Sequence, residues 1–221
     1  MRPTRRELLA GAGAGVAGGL AGCTGVLDGG VTAFGATGVG LSTSVQEETG
    51  YTHHRTIEDV ISREFERFGL SRTVEVTNIV SEYDRAIELG FLGTRIQAAV
   101  FATLSTPQVS VFGRSFNPIA EMSAEEIAAL VQDRYDNVGG LKLDGELEAA
   151  VTGETTTVTR FAGQARLVEL GQGVDIYLYV SDAVEVGEDF VVTLAAHPQA
   201  FGERLDTVRT LLAGVERRAE P

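Results

Sequence analysis

The chain contains 221 residues with 31 acidic and 18 basic side chains, which gives a formal net charge of −13. This excess of carboxylates disfavours general nucleic-acid binding, because neutralising phosphates requires clustered Lys and Arg. The single cysteine excludes an internal disulfide and a cysteine-based zinc site, and a hydrophobic share of 43% excludes a disordered polyelectrolyte.

The first 22 residues have the pattern of an export signal. Arg5 and Arg6 precede an uncharged stretch of Gly, Ala, Leu and Val at Leu8–Gly22. A basic start followed by a short apolar segment is typical of a signal peptide, and the stretch is shorter than the roughly 20 residues that a membrane-spanning helix needs. The paired arginines with two leucines behind them resemble the twin-arginine (Tat) signal, which exports folded proteins. A generic Sec signal and an uncleaved anchor helix are the alternatives.

The only cysteine of the chain, Cys23, stands at the end of this stretch. Leu20, Ala21 and Gly22 immediately precede it. This order resembles a lipobox, in which cleavage precedes a cysteine whose thiol receives a lipid, and two lipid chains make a stable anchor. We therefore predict a signal peptide over residues 1–22, lipidation at Cys23 and attachment to membrane lipid on the outer face of the cell. An ordinary buried thiol is the alternative.

Removal of this signal would make the remaining chain more acidic. The signal carries three arginines and one glutamate, so the formal charge of residues 23–221 becomes −15. Lys142 is the only lysine, against 17 arginines. This acidic, lysine-poor composition resembles the secreted proteins of haloarchaea, since brine shortens the Debye length to about 3 Å at 1 M salt and so screens self-repulsion. An ordinary acidic surface protein is the alternative.

The chain beyond the signal is expected to form one domain. Residues 23–30 are rich in glycine and predict a flexible tether after the lipidated cysteine. The domain itself is placed over residues 31–217, which is an ordinary domain size. Ser42 or Ser44 predicts the cap of a short helix that ends at Gly50.

Strand patterns dominate the middle of the chain. Residues 56–66 and 72–84 predict a long hairpin. In the next strand, alternating small or apolar residues predict one shared face; these are Ile96, Ala98, Val100, Ala102 and Leu104. A shorter strand is expected at residues 109–112, followed by a turn at residues 116–118.

Helix and strand patterns then alternate to the end of the chain. Ser123 and Glu126 have the spacing of a capping box and predict a helix that ends before Gly139. Four strands are expected next, at residues 155–161, 164–170, 174–180 and 189–196. An amphipathic helix is expected from Gly202 to Arg217. This order predicts an α+β fold, an antiparallel sheet with amphipathic helices packed on it.

Two resemblances extend these expectations. The antiparallel strands, followed by Phe190–Leu194 and a closing helix, resemble the Mog1/PsbP-like fold, whose members are mostly non-enzymatic binding or assembly proteins. Several motifs resemble a family of haloarchaeal lipoproteins of unknown function. They are Ala21–Cys23, Glu48–Tyr51, Arg72–Asn78, Ser105–Val109, Phe116–Pro118 and Leu211–Val215. The second resemblance implies a location and no activity.

The sequence contains no recognised catalytic pattern. His53 and His54 are adjacent, so an extended strand would point them to opposite faces, and His197 stands at a strand end. Gly113–Phe116 lacks the second glycine of a nucleophile elbow. We therefore predict no catalytic residue, no metal site and no cofactor. Arg114, with Phe112 and Phe116 on either side, forms the group of residues that most resembles a binding site, although a turn with satisfied hydrogen bonds explains it equally well.

These patterns together predict a lipid-anchored, non-catalytic module of the cell surface, which binds a protein or small-molecule partner of unknown identity. The alternative is an extracytoplasmic hydrolase built on carboxylates or on an unrecognised serine. A cell-envelope assembly factor is a third hypothesis. Partners other than membrane lipid are unknown at this stage, and nucleic acid is not expected.

Overall fold

The computed structural model describes residues 31–67, 70–89, 94–111, 114–115, 119, 121–134, 138–167 and 172–218. The predicted signal peptide, the lipidated cysteine and the tether, which occupy residues 1–30, lie outside the described residues. Phe112 and Phe116, which flank Arg114 in the sequence, also lie outside them.

Strand is the dominant secondary structure of the described chain. The strands are β1 (Val31–Gly35), β2 (Val39–Leu41), β3 (Thr52–Arg67), β4 (Leu70–Leu89), β5 (Thr94–Pro107), β6 (Ser110–Val111), β7 (Arg114–Ser115), β8 (Val138–Val151), β9 (Glu154–Leu167), β10 (Gln172–Ser181), β11 (Val184–Val186), β12 (Asp189–Pro198) and β13 (Val215–Arg217). The helices are α1 (Thr43–Thr49), α2 (Ala124–Arg134) and α3 (Leu205–Ala213), and a 3-10 turn, Gln199–Phe201, precedes α3.

One large sheet organises the fold. Its strand order is β1–β4–β5–β12–β10–β9–β8, with β3 paired to β4 and β11 paired to β12. β4 is long enough to pair with β3 along one edge and with β1 and then β5 along the other. β1 runs parallel to β4, so the sheet is mixed. The hairpin predicted from residues 56–66 and 72–84 is confirmed by the antiparallel pairing of β3 with β4.

The prediction of an α+β fold with an antiparallel sheet is wrong, because the described chain is predominantly β and its helices are short. One cause is β8, in which Gly139, Gly140 and Gly145 interrupt the sequence pattern typical of a strand. The other is the C-terminal segment, where the predicted helix ends at Ala213. The following Val215–Arg217 pairs with β2 instead of continuing the helix. The closing helix that resembled the Mog1/PsbP-like fold is therefore shorter than expected.

One further strand prediction needs correction. Residues 155–161 and 164–170 do not form separate strands, since β9 continues through Gly163. There a side chain would collide with Leu141 of β8, so glycine permits the close pairing. In β5 both faces pack on the core: Leu104 packs on the cluster beneath α2, although Val100 is 41% exposed, whereas Phe101 of the opposite face is fully buried. The side chain of Phe101 belongs to the cluster beneath α3.

Helices cover both faces of the sheet. α3 packs through Leu211 on a cluster that includes Tyr179 of β10. α2 packs through Ile127 on a cluster that includes Leu178, the preceding residue of the same strand. Because successive strand residues point to opposite faces, the two helices lie on opposite sides of the sheet. The face beneath α3 carries the cavity described below.

The predicted helix caps are confirmed. The Ser42 hydroxyl accepts the Val45 amide hydrogen, and α1 ends at Gly50 in the left-handed conformation. At the start of α2, the Ser123 amide donates to Glu126 Oε2 at 2.8 Å and the Glu126 amide donates to Ser123 Oγ at 3.3 Å. Both caps are local features, since each joins residues three positions apart.

Candidate functional site

A cavity of about 400 Å³ lies between the sheet and the start of α3. Its polar lining comes from four separate parts of the chain. Tyr51 follows α1, Arg85 belongs to β4, His197 belongs to β12, and Arg204 and Thr207 lie at the start of α3. The rest of the lining is glycine and apolar side chains, among them Phe201 and Val208.

Tyr51 is the most deeply buried polar group of the cavity wall. The residue is only 3% exposed, and in the described part of the chain its hydroxyl has no hydrogen-bond partner. Burial raises the pKa of Tyr51 to about 12, although the positive charges of Arg85 and Arg204 oppose the rise. The phenol is therefore neutral at ordinary pH, and its hydroxyl is available to hydrogen-bond a molecule in the cavity.

The two arginines of the cavity have no carboxylate partner. Neither Arg85 nor Arg204 forms an ion pair with any residue that the structure describes. Arg204 donates from Nε to the Phe201 carbonyl at 3.2 Å, and its guanidinium lies 5.8 Å from the centre of the Phe201 ring. In a protein with a net charge of −13, this leaves two guanidinium charges uncompensated beside one cavity.

The backbone at Arg204 has a conformation that is unusual for its residue type. Arg204 is left-handed, with φ of 50°, and it occupies the N-cap position of α3 without a side-chain capping hydrogen bond. The α-helical N-terminus carries a partial positive charge. Thr207 and Val208, in the first turn of α3, line the cavity. Asp206, in the same turn, supplies a carboxylate that opposes this partial charge, so the positive character of the wall comes from the two arginines.

His197 forms a fixed part of the wall. Its Nδ1 lies 3.2 Å from the Pro198 carbonyl and its Nε2 lies 3.1 Å from the Glu203 carbonyl. The ring stacks on Tyr179 at 5.7 Å between centroids. Burial lowers the pKa of His197, and the backbone contacts only partly oppose this. A neutral imidazole carries one N–H and donates to one of the two carbonyls, while its other nitrogen faces a carbonyl oxygen that cannot donate to it.

Arg160 lies close to this wall, but its positive charge is already paired with carboxylates. Its Nη1 lies 2.9 Å from Glu203 Oε1, and its Nε forms an ion pair with Asp144 at 2.7 Å, at an angle unsuited to a hydrogen bond. The guanidinium also stacks over the Tyr177 ring at 5.2 Å. Tyr179 donates its hydroxyl to the Glu203 carbonyl at 2.7 Å. These contacts hold the segment before α3, so that Arg204 is placed at the cavity.

The structure separates the histidines that the sequence places side by side. The His53 ring packs on Tyr83 at 5.4 Å, whereas His54 Nδ1 lies 3.3 Å from Asp84 Oδ2. Because Tyr83 and Asp84 are consecutive residues of β4, the two histidines lie on opposite faces of the sheet. Within the described ranges, no three His, Cys, Asp or Glu side chains are grouped as metal ligands would be.

The remaining predicted site residues lie outside the described chain. These are Arg5, Arg6, Leu20, Ala21, Gly22 and Cys23, and they stay predictions. Arg114 is described only as part of the short β7, and its flanking phenylalanines are not described. No helix among the described residues is both long enough and apolar enough to cross a membrane.

The sequence alone does not identify Tyr51, Arg85 or Arg204. Tyr51 lies between α1 and β3, Arg85 in β4 and Arg204 just before α3, and only the assembled sheet with α3 packed on it brings them to one cavity. Arg85 has no distinctive neighbours in the sequence. Tyr51 belongs to the motif Glu48–Tyr51 that supports the lipoprotein resemblance, which is the one signal that pointed towards this region.

Comparison with known proteins identifies a family without an assigned activity. No curated protein matches the chain. A solved structure of PA94, a protein of unknown function from Pseudomonas aeruginosa, is similar over 72% of this chain and 99% of its own, at 11% sequence identity and a TM-score of 0.32. At that score the likeness does not define the fold. A family model described as Domain of unknown function (DUF6517) matches residues 39–216, from β2 to β13, and the chain therefore belongs to this family.

Proposed function

We propose that this protein is a lipid-anchored module of the cell surface that binds a ligand without transforming it. The observation that carries the binding function is the pair of arginines on the cavity wall, Arg85 and Arg204, neither of which has a carboxylate partner among the described residues. Tyr51 lines the same cavity, and its hydroxyl has no hydrogen-bond partner in the described chain. A ligand that enters the cavity and accepts hydrogen bonds would pair with these donors.

The membrane anchor is supported by the sequence alone. Arg5 and Arg6 precede the apolar stretch, and Leu20–Gly22 precede Cys23 in the order of a lipobox. Membrane lipid is therefore the proposed partner at the N-terminus, with residues 23–30 as the tether between the lipid and the domain. The acidic, arginine-rich composition supports a haloarchaeal setting, where high salt would screen the negative surface.

The composition of the cavity favours binding over hydrolysis. A hydrolase of the alternative type needs a serine nucleophile or a carboxylate pair beside its substrate. The described lining holds neither a serine nor an aspartate or glutamate. Both ring nitrogens of His197 face backbone carbonyls, which leaves neither in position to act as a base on a bound molecule. The polar groups that remain are suited to holding a ligand.

The anchor is tested by Cys23→Ser in the full chain, expressed with its signal. We expect the variant either to leave the membrane fraction or to accumulate as the uncleaved precursor, which the mass of the protein distinguishes. Thr24→Ser, next to the same site, is the matched control and should fractionate normally. If the membrane fraction and the mass of Cys23→Ser equal those of the natural chain, the anchor proposal is wrong.

The export route is tested separately by replacing Arg5 and Arg6 with lysine. This change keeps the positive charge of the segment and removes the paired arginines. A twin-arginine signal should then fail to export the protein, whereas export at the normal level would identify a Sec signal.

A further inference from the structure

We propose that the cavity beside α3 binds a small organic anion, with a carboxylate or phosphate head held by Arg85 and Arg204 and a short apolar body. The inference rests on the proposed binding function and names its ligand class. It concerns only the described cavity and is independent of how the protein is attached to the membrane.

The charge of the head group follows from the two arginines. Both guanidiniums line the cavity, and neither pairs with a carboxylate among the residues described. A bound cation would be repelled by them, and a neutral ligand would leave both charges uncompensated. A guanidinium presents a planar fork of N–H donors that matches the two oxygens of a carboxylate or a phosphate.

Tyr51 adds to the same preference. The Tyr51 phenol is close enough to both arginines for their charges to act on its pKa. The residue is only 3% exposed, and its hydroxyl has no hydrogen-bond partner within the described chain. It is a third donor for an anionic oxygen. The two arginines and this phenol thus favour negative charge in the cavity.

The apolar body follows from the rest of the wall. Phe201 and Val208 from the α3 side face Ala86 and Ala99 from the sheet. An inorganic ion would leave these surfaces in contact with water, whereas a short hydrocarbon or aromatic group would cover them. The cavity volume of about 400 Å³ lies in the range of sites that hold small organic molecules. The geometry therefore favours an organic anion over a free ion.

The ligand class is tested by titration calorimetry on the purified full chain, at constant ionic strength, with three probes of similar body. They are benzoate, phenyl phosphate and benzyl alcohol. We expect at least one anion to bind saturably and about tenfold or more tighter than the alcohol, the factor expected from one charge-assisted hydrogen bond. The tighter of the two anions identifies the head group. Saturable binding of neither anion, or equal binding of the alcohol, overturns the proposal.

The site is tested with Arg85→Gln, Arg204→Gly and Tyr51→Phe. Each arginine variant should weaken binding of the preferred anion about tenfold or more, and Tyr51→Phe should weaken it about threefold to tenfold. Arg209→Gln, which removes an exposed arginine of α3 outside the cavity, is the matched control for net charge. Equal weakening in Arg209→Gln would mean that only the overall charge matters, and the site assignment would then be wrong.

Two outcomes distinguish a failure of the proposed ligand class from a failure of the proposed function. If mass spectrometry shows that a bound anion is chemically altered, the non-catalytic function fails and the ligand class stands. If the natural chain binds neither anion while Cys23→Ser still leaves the membrane, the ligand class fails and the anchor stands.

Discussion

The Tyr83 hydroxyl accepts the Leu41 amide hydrogen at 2.9 Å, which joins β2 to the middle of β4. Tyr83 is only 2% exposed, and its hydroxyl lies directly over Gly40, where any Cβ would collide with it. Because β2 also pairs with β13, this hydrogen bond, together with the one from the Thr103 hydroxyl to the Val39 carbonyl, attaches the β2–β13 ladder to the large sheet.

Tyr83→Phe should lower the free energy of unfolding by about 1–3 kcal/mol, since it leaves the Leu41 amide buried without a partner. Urea unfolding followed by circular dichroism measures the change. Tyr177→Phe is the matched control, because the Tyr177 hydroxyl has no hydrogen bond in the described part of the chain, and it should be nearly neutral. Equal stability of Tyr83→Phe and the control would contradict the role assigned to this bond.

Tyr51→Phe should alter the stability of the protein at alkaline pH. The unfolded tyrosine ionises near its ordinary pKa of 10.0, whereas the folded pKa is about 12. The unfolded state therefore loses its proton first, and the natural chain loses stability between these two values, by about 2–3 kcal/mol. The variant lacks this loss, so its stability relative to the natural chain should rise with pH. Urea unfolding at about pH 9 and about pH 11.5 tests this; a constant difference would contradict it.

His197→Gln should alter the stability at acidic pH. Burial lowers the pKa of His197 below the ordinary value of 6.5. On acidification the unfolded imidazole binds a proton before the folded one, so the stability is full above that value and declines as the pH falls below it. The variant should show a smaller decline between about pH 7.5 and about pH 5. His54→Gln, at a partly exposed histidine, is the control that should leave the contribution of His197 in place.

Arg204→Gly should weaken anion binding while changing the stability of the protein only slightly. Arg204 is left-handed, a conformation that costs an L-residue about 1–2 kcal/mol and glycine little. The greater freedom of glycine in the unfolded chain offsets about 0.5–1 kcal/mol. We therefore expect the free energy of unfolding to stay within about 1 kcal/mol of the natural value, measured in urea, while anion binding weakens about tenfold or more.

Thr152→Gly is the control for this argument. Thr152 is the other described non-glycine residue with a left-handed backbone, and it lies in the turn between β8 and β9, away from the cavity lining. It should show a similar small change in stability with unchanged anion binding. A large loss of stability in Arg204→Gly alone would show that its side chain is needed for folding.

Local features of this fold could be predicted from the sequence, and distant pairings could not. The caps at Ser42 and Ser123 each depend on residues within one helical turn. The hairpin of β3 and β4 joins neighbouring segments. In contrast, Val215–Arg217 becomes a strand only because β2, at the far end of the domain, offers it a partner.

The candidate site depends on the same distant pairings. Tyr51, Arg85 and Arg204 come together only when β4 is placed in the sheet and α3 packs over it. Each residue alone has an ordinary surface or core interpretation in the sequence. The sequence predicts that His197 stands at a strand end, which β12 confirms by ending at Pro198, but its place in a cavity wall depends on the fold.

The pairing of β2 with β13 determines when during synthesis this part of the domain can form. Leu41 pairs with Val215 and Val39 pairs with Arg217, so a segment made early has no partner until the last strand has left the ribosome. The nascent chain therefore cannot complete this ladder before residues 215–217 have emerged. A truncation before Val215 would remove the partner of β2 and leave its backbone groups without this pairing.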